Sequence, residues 1–302
     1  MSINTHPRLL VTGASGNLGR EVVEQLLKAG TKNVVAGSRN PEALAELAAK
    51  GAETVTVDFD DPTSLSTAFA GVDRVLIISV DAKTSAEDRL RRQLAAVAAA
   101  VEAKVERIVY TSMLKPEPGS LIAYAPIHYA TEQAIERSGI PFTILRVNAY
   151  TDNVFWWLPP ILASGQWTTA AGRGRTAYID RRDVARAAAA VLTSSEVLGR
   201  IDLGGAEALS ANEIAAIVDD VFDITVTLDH VTDEVREQGL ISAGLPPPVA
   251  KHLTAIDATT RQGDFDSASD LVERLTGTRA RSFQDFLIEK RVALSAAANP
   301  KK

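Results

Sequence analysis

Cysteine is absent from the chain, which excludes disulfides, a thiol nucleophile and a thiolate metal site. Histidine is scarce. His6, His128, His230 and His252 are the only four, no two of them lie one helical turn apart, and no metal is expected. No apolar run approaches the roughly 18 residues that span a bilayer. The opening stretch from Met1 to Arg8 is polar and lacks a signal-peptide core. Positive charge is not in excess either: 32 Lys and Arg against 38 Asp and Glu give a net charge of −6. That balance leaves no electrostatic footprint for nucleic acid or an anionic membrane. A cytoplasmic protein with no nucleic-acid or membrane partner is the expectation, as a monomer or a homodimer. Its 302 residues, 46% hydrophobic, provide core for one large or two modest domains.

Glycine is present where it matters. Thr12-Gly13-Ala14-Ser15-Gly16-Asn17-Leu18-Gly19 follows the apolar run Leu9-Leu10-Val11 and opens an amphipathic stretch that stops at Gly30. Strand, glycine turn and helix in that order mark a dinucleotide site. Gly13 permits the tight turn, Gly16 lets backbone approach a pyrophosphate, and Gly19 lets helix and strand pack closely. Free N–H groups at the helix start, together with its dipole, favour an anion at Ser15, Gly16, Asn17, Leu18 and Gly19.

Strand-like and helical patterns alternate through the first half. Strands are expected at Arg8–Thr12, Asn33–Gly37, Thr54–Val57, Arg74–Ser79, Arg107–Thr111 and Phe142–Arg146. Asn40-Pro41 and Asp61-Pro62 each read as a helix cap followed by proline in the first turn. The fold class is therefore α/β, a Rossmann-type doubly wound parallel sheet. Residues 1–147 are assigned to a cofactor domain, with 177–205 returning to it. Residues 148–176 and 206–302 are assigned to a smaller, mainly helical substrate domain.

Arg39 follows the second strand, about twenty residues beyond the turn, where an acid would select NAD(H) and an arginine accommodates a 2′-phosphate. NADP(H) is thus expected over NAD(H). Asp58 and Phe59, ending the third strand, are candidates to hydrogen-bond and pack the adenine. Ser79 and Val80, ending the fourth, should line the pyrophosphate–ribose path.

Taken with Tyr110-Thr111-Ser112, His128-Tyr129-Ala130-Thr131-Glu132, Ile140-Pro141-Phe142-Thr143-Ile144-Leu145-Arg146 and Tyr150-Thr151-Asp152-Asn153, these features resemble the NmrA-like, atypical branch of the short-chain dehydrogenase/reductases. Within it the chain is most similar to NAD(P)H:quinone oxidoreductases and triphenylmethane reductases. The resemblance adds Thr111 and Ser112 to the cofactor contacts. It places Tyr124-x-x-x-His128 in the register of the superfamily's Tyr-x-x-x-Lys pair, with histidine for lysine, and makes Tyr124, His128 and Tyr150 the candidate catalytic residues. Relatives carry Asn directly after Leu-Arg, whereas this chain has Val147 and then Asn148.

The missing lysine has a chemical reading. A ketone accepting hydride becomes an alkoxide with a conjugate-acid pKa of roughly 16, and needs a strong proton donor. A quinone becomes a phenolate, with a pKa of about 10; a cationic dye becomes neutral. An NADPH-dependent reductase of quinone-like or other conjugated aromatic acceptors, without flavin or metal, is the leading reading. A non-catalytic NADP(H)-binding redox sensor is the rival. Tyr150, Asn153, Phe155, Trp156 and Trp167 are expected to line the pocket for a flat acceptor.

Overall fold

A computed structural model describes residues 6–80 and 85–299. The chain folds into two compact units. The first comprises Met1–Pro116, Pro126–Arg146 and Arg182–Ile201; the second comprises Glu117–Ala125, Val147–Arg181 and Asp202–Lys302.

The chain begins β1 (Leu9–Val11), α1 (Asn17–Lys28), β2 (Val34–Ser38), α2 (Ala45–Ala49), β3 (Glu53–Thr56), α3 (Pro62–Phe69) and β4 (Arg74–Ile77). It continues α4 (Ala86–Glu102), β5 (Arg107–Met113), α5 (Ala125–Arg137) and β6 (Phe142–Val147). Then come α6 (Val154–Ser164), β7 (Gln166–Thr169), β8 (Arg175–Thr176), α7 (Arg181–Thr193), β9 (Gly199–Leu203) and β10 (Leu209–Ser210). The rest is α8 (Ala211–Phe222), β11 (Thr227–His230), α9 (Asp233–Ser242), α10 (Pro247–Gln262), α11 (Leu271–Thr276) and α12 (Phe283–Ala298).

Seven strands form one sheet in the order β3-β2-β1-β4-β5-β6-β9. Strand β1 runs parallel to both neighbours, with Leu10 opposite Val35 on one side and Val75 on the other. The order reverses between β1 and β4, and the carboxyl ends there are where such sheets hold ligands. Leu10, Val35, Val75, Ile77, Ile108 and Tyr110 are fully buried in a core completed by α3 and α4. Ala96, Ala99 and Ala100 bring α4 close to the sheet, so the alanine run serves packing. Both expected caps form: Asp61 accepts from the Thr63 N–H at 2.9 Å, and Asn40 from the Glu42 N–H at 3.1 Å.

In the second unit, β7 pairs in parallel with β11, and β8 pairs antiparallel with β10. Helix α6 packs on α12. Val154, Leu158 and Ile161, spaced i, i+4, i+7, seat α6 in a core with Val218, Phe283, Phe286 and Leu287. Sequence patterning alone does not predict this helix. Pro159 and Pro160 lie inside it and remove two backbone donors, so Phe155 and Trp156 lose their intrahelical hydrogen-bond partners. The buried stripe and the left-handed Gly165 that stops the helix (φ 68°) outweigh that cost. Among the described residues, no helix is long and apolar enough to cross a membrane.

Candidate cofactor and active site

The glycine turn forms where β1 ends. Gly13 has φ +63°, a conformation that favours glycine, and its carbonyl accepts from the Gly16 N–H at 2.9 Å. A Cβ on Gly19 would collide with the Gly13 carbonyl, so only glycine lets α1 begin this close to the strand. The turn is tied down on both sides. Buried Thr12 donates to the Leu76 carbonyl at 3.1 Å and accepts from the Ile78 N–H at 3.0 Å. The Ala14 N–H donates to the Gly37 carbonyl at 2.9 Å. Gly13, Ser15, Gly16 and Asn17 are left exposed, with no acid in the first turn of α1 to compete for an anion. Leu18 and Gly19 are buried, so the Leu18 side chain belongs to the packing and only its backbone is available to a ligand.

Beside this turn, Ser38 and Ser15 join β2 to the glycine loop through a 2.8 Å hydroxyl pair, and the Asn40 N–H donates to Ser38 Oγ at 3.1 Å. Arg39 stands exposed between Ser38 and Asn40 in sequence. A glycine turn too tight for a Cβ at Gly19, opening a helix and flanked by a serine pair, fits the pyrophosphate of a dinucleotide.

Asp58 accepts from the Asp60 N–H at 3.0 Å, and its own N–H is held by Ser64 Oγ at 2.9 Å. Phe59 leans on the sheet core. The Ser79 N–H donates to Thr111 Oγ1 at 3.0 Å, joining the ends of β4 and β5. Val80 is held twice: its N–H by Gln93 Oε1 at 3.1 Å and its carbonyl by Arg89 Nε at 3.2 Å.

The motif residues of α5 and β6 meet in buried polar contacts. Ser112 donates to Glu132 at 2.5 Å, and Arg146 grips the same carboxylate through Nε at 3.1 Å and Nη2 at 2.6 Å. Arg200 adds a further contact to Glu132 at 3.3 Å. The Ser112 hydroxyl, expected on the cofactor, gives its proton to this ion pair and keeps only acceptor capacity. Neither Arg200 nor the pairing of Glu132 with Arg146 follows from the sequence reading. The one signal there is an arginine in an apolar strand, fourteen residues from an acid in α5.

His128 is also buried, and its Nδ1 lies 2.9 Å from the Tyr110 hydroxyl. Burial, reinforced by the positive charge of Arg89, lowers its pKa to about 3, so the ring is neutral at ordinary pH. Burial raises the Tyr110 hydroxyl well above its usual value. Neither group is a proton source near neutrality. Tyr124 stands just before α5, which starts at Ala125, and His128 lies in its first turn. The Tyr124 ring lies 5.7 Å from that of His252. The tyrosine that serves His128 comes from β5, a different element, so no helical spacing announces it.

In the second unit, Tyr150 lies under the Arg181 guanidinium, 5.3 Å from its ring centroid, and Arg181 is paired with Asp152 at 2.7 Å. Burial pushes the Tyr150 hydroxyl up to about 12, which makes it a hydrogen-bonding group rather than an acid. Asn148 is buried, donates to the Phe265 carbonyl at 2.9 Å and accepts from the Ala149 N–H at 2.7 Å. It is a structural asparagine, and Val147 simply ends β6. Asn153 is half-buried before α6 and makes no side-chain cap.

The expected aromatic pocket is split by the fold. Phe155 and Trp167 pack against the second unit's core, with Trp167 stacked on Trp157 at 5.4 Å. Trp156 is 80% exposed. The helical period sends adjacent aromatics to different faces, so this stretch cannot act as one continuous lining. Among the described residues, no group of three His, Cys, Asp or Glu could hold a metal ion.

The family model described as NAD(P)H-binding matches residues 13–195. A (4-alkanoyl-5-oxo-2,5-dihydrofuran-3-yl)methyl phosphate reductase of Streptomyces griseus is 32% identical over 93% of this chain and 97% of its own. The structure of an NADPH-dependent quinone oxidoreductase from Escherichia coli, complexed with NADPH, superposes with a TM-score of 0.86 at 30% identity. That match covers 94% of this chain and 99% of the other. A Citrobacter triphenylmethane reductase complexed with NADP(H) gives 0.82 at 32% identity, over 93% and 99%. The chain belongs to the NAD(P)H-binding family, and with it to the NAD(P)H-dependent oxidoreductases.

Proposed function

We propose that this protein reduces quinone-like or other conjugated acceptors with NADPH, preferring it to NADH, without flavin or metal. The first unit would hold the dinucleotide. Bound there, the nicotinamide supplies hydride from C4; a quinone gains that hydride and a solvent proton and leaves as a hydroquinone. The backbone from Gly13 to Gly19 would cradle the pyrophosphate, and Arg39 would meet the 2′-phosphate. Thr111 and Ser79 would border the ribose path, and His128 would orient the nicotinamide ribose. Tyr150 and Asn153 remain the candidate acceptor contacts.

The observation that carries this reading is the burial of His128 against the Tyr110 hydroxyl, which with the charge of Arg89 holds the ring's pKa well below the ordinary histidine value. A site whose histidine cannot protonate an alkoxide suits acceptors whose reduced form needs no strong acid. The names of the relatives, a quinone oxidoreductase, a dye reductase and a reductase of an unsaturated lactone phosphate, support the same acceptor class.

The experiment is NADPH oxidation against a panel of quinones, cationic dyes and unsaturated lactones, with simple ketones and NADH as controls. Turnover on the conjugated panel and none on ketones is expected. Tight NADPH binding with no turnover on any acceptor would overturn the enzyme reading in favour of a redox sensor. Arg39→Ala should weaken NADPH by roughly 1.5–3 kcal/mol, the worth of a hydrogen bond to a charged group, and leave NADH unchanged. Equal losses for both would remove the 2′-phosphate assignment.

A further inference from the structure

The glycine turn offers donors. The first hydrogen bond of α1 is made by the Arg20 N–H to the Gly16 carbonyl at 3.0 Å, so the N–H groups of Asn17, Leu18 and Gly19 come before it. Such groups are left to water or to a ligand that accepts. A hydroxyl in the same turn is ambivalent, because it can present either a proton or a lone pair. Ser15 is that hydroxyl: it is exposed and stands between Gly13 and Gly16.

Its partner decides which it presents. Ser38, the last residue of β2, is only 4% exposed. The Ser38 oxygen accepts the Asn40 N–H at 3.1 Å. A backbone N–H can only donate, so the Ser38 proton goes elsewhere, and it is given to Ser15 Oγ at 2.8 Å. Among the described residues the Ser38 hydroxyl makes no other hydrogen bond. Reversing the serine pair would leave the Ser38 proton buried with no acceptor, which is costly. It would also leave only lone pairs on the outer side of Ser15, beside N–H groups that call for an anion. With the pair as it stands, the Ser15 oxygen is occupied from behind and its own proton remains for a ligand.

We infer that Ser38 is a positioning residue for the cofactor: its buried proton makes Ser15 a donor toward a phosphate oxygen of the dinucleotide, in concert with the N–H groups of the turn. Pyrophosphate and 2′-phosphate share that chemistry, and cofactors with and without the 2′-phosphate separate them. This role of Ser38 rests on the seat of NADP(H) at the glycine turn; the direction of the serine pair does not. Size alone does not suffice at position 38, since alanine has no proton to give and cysteine donates weakly.

Dissociation constants for NADPH and NADH, measured by titration calorimetry on the full chain, provide a double-mutant cycle. Ser15→Ala should weaken NADPH about tenfold, the equivalent of one hydrogen bond. Ser38→Ala should weaken it roughly fivefold, because the Ser15 hydroxyl survives but is no longer directed. Adding Ser38→Ala to Ser15→Ala should change nothing further. Asn40 is exposed, so its N–H finds water in these variants. Ser38→Cys keeps the size of the side chain and loses the strong donor; it should follow Ser38→Ala, and it keeps the test decisive if the alanine variant fails to fold. Equal losses for NADPH and NADH would assign the accepting oxygen to the pyrophosphate, and a loss confined to NADPH would assign it to the 2′-phosphate; either upholds the role of Ser38. Losses that add in the double variant, or NADPH binding unchanged in Ser38→Cys, would overturn it. An unaltered protein that binds neither dinucleotide would overturn the seat of the cofactor, and the role of Ser38 with it.

Discussion

The two units treat their distinctive residues in opposite ways. In the first, the polar motif residues converge: Thr12, Ser38, Thr111, Ser112, His128, Glu132 and Arg146 are buried, and each has a defined polar partner. In the second, the aromatic residues expected to form a single lining diverge, with Phe155 and Trp167 against the core and Trp156 in solvent. Directional hydrogen bonds leave a sequence signature because each partner must be of a particular type at a particular place. Apolar contacts do not. Any large hydrophobe can face a core, a ligand or water, and the helical phase decides which.

The sharpest way to break this contrast is at the buried ion pair. Arg146→Leu leaves the Glu132 carboxylate buried with only Arg200 and Ser112 beside it, and should destabilise the protein by about 3–5 kcal/mol in urea unfolding. A loss below about 1 kcal/mol would mean that the motif is held by packing instead. The next test compares two tryptophans. Trp167→Ala should cost about 2 kcal/mol, less than a fully buried aromatic because it is only half-buried. Trp156→Ala should stay within about 0.5 kcal/mol. If Trp156→Ala instead raises the KM for a quinone at constant stability, the exposed ring is an acceptor contact.

A further test concerns pH. His128 is neutral in the folded chain down to about pH 3, whereas in the unfolded chain it takes a proton near the ordinary histidine value of 6.5. Below that value the unfolded state binds the extra proton, so stability falls as pH drops through this window and is unaffected above it. The slope from this one group is at most about 1.4 kcal/mol per pH unit. His128→Gln should flatten the urea midpoint between about pH 5 and 6.5, above the main carboxylate range; an identical slope would place the titration elsewhere.

The cofactor side is legible in the sequence because strand, glycine turn and helix are consecutive, and both proline-headed caps are local. Strand ends agree to within two residues at β1, β2 and β5. What escapes is long-range or out of phase. Tyr110 reaches His128 from another element, Arg200 reaches Glu132 from beyond α7, and residues 117–125 join the second unit although they sit between two stretches of the first. Helix α6 is hidden by Pro159-Pro160, although Val154, Leu158 and Ile161 carry its period.

The sheet order has a consequence for the time at which the protein can fold. Strand β6 is covered by β9, whose residues Gly199–Leu203 come well downstream, and the second unit is gathered from three separate pieces of chain. During synthesis, six strands of the sheet are complete by Val147, yet the ladder edge of β6 has no neighbour until Gly199–Leu203 has left the ribosome. An apolar strand with an open edge is an invitation to pair with other chains. Neither unit is finished before the other has begun, so the nascent chain passes through an interval in which the open edge of β6 depends on a segment not yet made.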